Sequence, residues 1–114
     1  MTGKPIIFSW GTWNRAHIGE HGVTTDEAAY IVEDARPPFP RYAAQQKLIV
    51  WGQTPAGRYL QVIFTFPADG DVDHATLSPV DLADFVAGRV RVAFVLHARD
   101  LTGAEKRQLR RRRR

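Results

Sequence analysis

No cysteine occurs anywhere in the chain. Its absence excludes disulfides, thiol nucleophiles and thiolate-held zinc. No apolar run approaches the roughly 18 residues that a membrane-spanning helix needs. The opening MTGKPIIFSW also lacks the layout of a secretory signal. A cytoplasmic protein with no membrane partner is the expectation. Neither a P-loop nor a dinucleotide-binding glycine fingerprint can be read, and no cofactor is expected. Metal signals fail as well. His17 and His21 stand at i and i+4, but there is no HExxH and no third ligand. Asp69-Gly70-Asp71-x-Asp73 has its glycine misplaced for a calcium loop and lacks the terminal glutamate.

What remains is a chain of 114 residues, the size of one domain. Its formal charge of +4 is unevenly placed. Lys106, Arg107 and the arginines 110–114 supply seven of the sixteen cationic residues. Residues 1–105 hold nine Lys and Arg against twelve Asp and Glu, a balance of −3. The body is mildly acidic and the tail, 106–114, strongly basic. Such a tail suits phosphate backbones without reading sequence, or simply keeps a helix end solvated.

The chain is organised around residues 47–66, KLIVWGQTPAGRYLQVIFTF. Two β-rich runs flank Thr54-Pro55-Ala56-Gly57, a strong hairpin signal because proline fixes φ and glycine permits positive φ. Leu48, Val50, Leu60, Val62, Phe64 and Phe66 alternate onto an apolar face, and Arg58 shares their parity. Lys47, Ile49, Trp51, Gln53, Tyr59, Gln61, Ile63 and Thr65 take the other, which mixes aromatic, amide and cationic groups. A third strand at 89–99 is expected to point Val90, Val92, Phe94, Leu96 and Ala98 inward. Arg89, Arg91, Ala93, Val95, His97 and Arg99 then point outward.

Upstream, Pro5-Ile6-Ile7-Phe8 reads as an edge strand, since Pro5 has no N–H to donate. A helix at 12–22 puts Asn14, His17 and His21 on one face, with Gly22 as its left-handed stop. Thr24-Thr25-Asp26-Glu27 is a capping box opening a second helix, which Pro37-Pro38 terminates. Residues 36–46 form a proline-rich loop. Residues 67–88 contain five aspartates and no Lys or Arg, and read as an acidic insert with a short helix after Ser78-Pro79. Thr102-Gly103-Ala104-Glu105 is a second capping box, opening the basic helix. The order β-α-α-β-β-insert-β-α predicts an α+β fold. Its antiparallel sheet has three to four strands, two N-terminal helices and a C-terminal basic helix.

Three stretches together resemble a known family. They are Trp10-x-x-x-Asn14-x-x-His17-Ile18-x-x-His21-Gly22-Val23-Thr24 with Glu27-Ala28; Gly52-x-Thr54-x-x-Gly57-Arg58-x-Leu60-x-Val62; and Ala98-Arg99-x-x-Thr102-x-x-Glu105. In order and spacing they resemble the BrnT family of type II toxins, RelE-like ribonucleases held inactive by a DNA-binding BrnA antitoxin. The resemblance implies RNA as substrate and a BrnA-like protein as partner. Three departures stand out: the acidic insert replaces a short turn, His97 replaces a serine, and Leu109 replaces a tyrosine of the closing helix.

RNA is cleaved without a metal when its 2′-OH attacks the adjacent phosphate. That needs a base, an acid and cations around the phosphorane. His97, Arg99, Lys47, Arg58 and His21 are the candidate catalytic groups, and Trp51, Tyr59 and Arg91 the candidate RNA-binding groups. Each has a structural alternative. His97 and Arg99 can pair with carboxylates, Trp51 and Tyr59 can pack, and His21 can bond the turn after its helix. Glu105 reads as a capping residue first. An endoribonuclease toxin and a non-catalytic RNA- or protein-binding module on the same scaffold are the two functional expectations.

Overall fold

The computed structural model describes residues 3–112, and the hairpin at 47–66 lies at its centre. Strands β3 (Leu48–Gln53) and β4 (Tyr59–Thr65) pair antiparallel, with Gln53 opposite Tyr59 and Leu48 opposite Phe64. Gly57 closes the turn at φ +97°, where a side chain would be strained. The Thr54 N–H donates to the Arg58 carbonyl at 2.8 Å, and the Thr54 hydroxyl accepts the Arg58 N–H at 3.0 Å. Leu48, Val50, Leu60, Val62 and Phe64 are buried, as their alternation predicts.

The sheet has five strands in the order β1-β5-β4-β3-β2 and is mixed, which corrects the expectation of three to four antiparallel strands. Strand β1 (Ile6–Phe8) lies at one edge and runs parallel to β5 (Arg91–Asp100). A parallel pair needs a long crossover, and the chain between them supplies it. At the other edge, β2 (Arg41–Tyr42) is a two-residue strand of the proline-rich loop, laid along β3.

Helix α1 (Thr12–Gly19) stops three residues before the expected end, and Gly22 turns the chain at φ +67°. Helix α2 (Thr25–Glu33) begins at the predicted capping box, with the Glu27 N–H on the Thr24 hydroxyl at 3.1 Å and the Thr24 N–H on the Glu27 carboxylate at 3.0 Å. The same box opens α4 (Gly103–Arg112) between Thr102 and Glu105. Of the basic tail, Arg113 and Arg114 lie outside the described residues. One core joins Ile18 of α1, Ala28, Ile31 and Val32 of α2, the inward residues of the sheet, and Leu109 of α4. Among the described residues no helix is long and apolar enough to cross a membrane.

The alternation expected for 89–99 fails halfway. Opposite β4, Ile63 faces His97 but Phe64 faces Val95, so Leu96 is an extra residue in β5. Such a bulge shifts every side chain before it by one position. Ala93 and Val95, expected to point outward, are therefore fully buried, while Phe94 and Leu96, expected inward, are only half-buried. His97 and Arg99 lie after the bulge and keep their expected face, opposite Ile63 and Gln61.

In the insert, α3 (Pro79–Val86) begins at Ser78 as predicted and has no buried residue. Val72 is the buried side chain of 67–88, and the Thr76 hydroxyl meets that of Ser9 at 2.6 Å. Replacing 67–88 by Asn-Gly is expected to leave the domain folded and less stable by about 1–2 kcal/mol, the order of one buried valine. Thermal unfolding followed by circular dichroism checks this. A variant without a cooperative transition would show the insert to be part of the core.

Candidate functional site

Register places the candidate groups before any side-chain contact is considered. Directly paired residues share a face, so Arg41, Ile49, Ile63 and His97 form one row across the sheet. Trp51, Gln61 and Arg99 form the next, and Gln53 with Tyr59 a third. Strand β1 pairs with β5 only at Arg91–Ala93, so His97 and Arg99 have no strand beyond them.

Arg99 is held in a fork. Its Nη1 and Nη2 donate to the two Glu105 oxygens at 2.8 and 3.0 Å. Nη1 also reaches the Asp100 carbonyl at 3.0 Å and Nη2 the Gln61 side-chain oxygen at 3.2 Å. Trp51 donates its indole N–H to that same oxygen at 2.9 Å, so Gln61 couples ring and guanidinium. The fork with Arg99 and the Thr102 backbone N–H hold the Glu105 carboxyl far below its usual range, at about 2. The capping glutamate thus does two jobs.

Arg58 is more fully committed. Nε and Nη2 grip the Asp100 carboxylate at 2.8 and 3.1 Å. Nη1 donates to Glu27 at 3.1 Å and to the Gly22 carbonyl at 2.8 Å, and Nη2 to the His21 carbonyl at 3.0 Å. These five contacts match the five N–H donors of a guanidinium. The Asp100 fork raises the Arg58 pKa, and Arg58 in turn lowers that of Asp100.

The imidazoles are freer. The rings of His21 and His97 meet edge to face with centroids 5.0 Å apart. His17 stacks on Trp13 at 3.8 Å and bonds its carbonyl through Nδ1 at 3.2 Å. Burial lowers the His97 pKa, and the neighbouring His21 and Arg99 lower it further. Its Nδ1 is buried without a partner, which leaves Nε2 as the ring nitrogen able to meet a ligand.

Other candidates are not drawn in. Lys47 precedes β3, four residues before Trp51 and about 13 Å away by strand rise. Arg91 is eight residues from Arg99, about 26 Å away by strand rise, and lies over the Phe66 ring at 3.6 Å. Tyr59 stays beside the site, with its hydroxyl accepting from Arg110 at 3.3 Å and Lys106 5.8 Å from its ring centre. The structure thus gathers His21, His97, Arg99, Trp51 and Tyr59, uses Arg58 as their support, and separates Lys47 and Arg91. Sequence reasoning missed Gln61 and Asp100. Parity put Gln61 on this face, but its bridging role depends on Arg99 arriving from another strand. Among the described residues, no group of three or more His, Asp or Glu side chains is placed to hold a metal ion.

No family model, curated protein or solved structure matches the chain.

Two outcomes follow from the clamps. Arg58→Ala leaves two carboxylates and two turn carbonyls without their donor; because the Asp100 side is open to solvent, the expected cost in urea unfolding is about 1–2 kcal/mol. A loss below 0.5 kcal/mol would mean that water replaces the clamp. Glu105 is depressed from 4.5 to about 2, so it contributes stability that is complete above pH 4.5 and is lost as pH falls from there through 2. Glu105→Gln is expected to be less stable at pH 7 and to lose less on acidification across that window. Parallel pH profiles for variant and parent would contradict the pairing.

Proposed function

We propose that the protein is a metal-independent endoribonuclease of the BrnT-like toxin type, cleaving single-stranded RNA and held inactive by a BrnA-like antitoxin. The observation that carries the catalytic reading is the contact between His21 and His97, two imidazoles 5.0 Å apart on the edge where Arg99 stands. Imidazoles exchange protons near neutral pH, and a transesterification needs one proton taken and one given. The resemblance to the toxins supplies the substrate and partner.

In this reading His97, kept neutral by its burial, accepts the 2′-OH proton through Nε2. The O2′–P bond forms as the P–O5′ bond breaks. His21 gives a proton to the departing O5′, leaving a 2′,3′-cyclic phosphate and a 5′-hydroxyl. Arg99 keeps its Nε outside the fork to Glu105 and Gln61, and its fixed positive charge opposes that building on the phosphorane. A different observation favours a non-catalytic RNA- or protein-binding module. Arg58 and most of Arg99 are already neutralised by carboxylates of the protein itself.

The test is purified protein with labelled single-stranded RNA in EDTA. Cleavage is expected with cyclic-phosphate ends, and His97→Ala is expected to slow it by roughly 10²–10³-fold. Because His97 titrates below its usual 6.5, kcat/KM should rise with pH on a limb centred below that value. That limb should vanish in His97→Ala. No cleavage by the parent protein, with RNA still bound, would leave the binding module standing.

A further inference from the structure

A cleft of about 150 Å³ opens on the same sheet face, beside the Trp51–Gln61–Arg99 row. The rings of Phe39 and Trp51, 5.8 Å apart and tilted by 34°, bound it with Ile49. Arg41 places its guanidinium 5.3 Å from the Phe39 ring centre, at the sheet edge. No carboxylate lines the cleft among the described residues. The exposed Tyr42 also lines it, and Gln61 contributes the remaining polar group. Its side-chain oxygen is occupied by Trp51 and Arg99, so the amide N–H donors are the part of Gln61 left for a ligand.

We propose that this cleft holds one unpaired nucleobase of the RNA substrate. Phe39 is buried and backs the cleft, so the half-buried Trp51 ring is the face offered to a base, and stacking of this kind is tolerant of base identity. The Gln61 amide matches a carbonyl or ring-nitrogen acceptor on the base edge. Arg41, at the sheet edge, flanks the site with the charge that an attached phosphate requires. Position adds to this. Trp51 and Arg99 lie on either side of Gln61, two strand spacings or about 10 Å apart, and His97 stands in the adjacent row. A base in the cleft therefore belongs to a nucleotide close to the scissile phosphate. The cleft is the part of the site that grips substrate without touching the reacting atoms.

The identity of this site as an RNA subsite rests on the ribonuclease reading, so the experiment separates the two. Uridine 5′-monophosphate is titrated into isotope-labelled protein, with ribose 5-phosphate as the base-less control. The indole N–H of Trp51 and the side-chain amide of Gln61 are followed by NMR. Uridine monophosphate should shift both signals while ribose 5-phosphate leaves them in place. Trp51→Leu should weaken the binding about tenfold. Arg41→Ala, at an exposed edge position, should weaken it several-fold without disturbing the fold, which keeps the test decisive if Trp51→Leu does not fold. Equal shifts from both ligands would make this a phosphate site, and shifts confined to other residues would place the base elsewhere. Either result overturns the proposal. If the protein binds the base but never cleaves RNA, the subsite stands and the ribonuclease reading falls. If cleavage persists with unchanged KM in Arg41→Ala and Trp51→Leu, the subsite falls and the ribonuclease reading stands.

Discussion

One guanidinium sets the geometry of the site. Arg58 leaves the hairpin turn, takes Asp100 at the end of β5 in a fork, and reaches Glu27 together with the two carbonyls of the α1–α2 turn. Helix pair, hairpin and last strand meet in that one side chain. A lysine has neither the plane nor the donor count to do this. His21 is consequently held by its own backbone beside His97, although the two residues come from opposite ends of the chain.

A second clamp follows the same logic. Glu27 and Glu105 each cap a helix, and each then accepts an arginine, Arg58 of the hairpin turn and Arg99 of β5. A carboxylate fixed by a backbone N–H has lost its freedom before the arginine arrives, so the pairing costs little further entropy. The effect on chemistry is to remove charge. With Arg58 satisfied and Arg99 mostly so, the groups left without a carboxylate partner are the imidazoles, Gln61 and Arg41. On the ribonuclease proposal, such a site suits a neutral base and a flat ring as much as a phosphate.

The bulge at Leu96 makes this arrangement compatible with a closed core. Without the extra residue, Ala93 and Val95 would share the face of His97 and Arg99, and the larger Phe94 would enter the core. With it, small and branched residues fill the inner layer while His97 and Arg99 stay at the outer edge. The strand serves both faces only because its pleat changes phase between them.

Local patterns determined much of this from sequence alone. The hairpin with its glycine turn, both capping boxes, the Ser78 helix start, the edge position of β1 and the faces of β3 and β4 all depend on neighbours within a few residues. The sequence also determined that His97, Arg99, Trp51 and Gln61 share a face, since alternation survives between the bulge and the strand end. Tertiary structure alone decided the rest. The parallel pairing of β1, the added β2 and the bulge depend on which strand lies alongside, and chain order does not encode that. Likewise the commitment of Arg58 to Asp100 and Glu27, the meeting of His21 with His97, and the link from Gln61 to Arg99 join residues 31 to 76 positions apart. Such contacts form only once the strands have paired, because a side chain's partner is set by distance in space, which periodicity along one segment cannot specify.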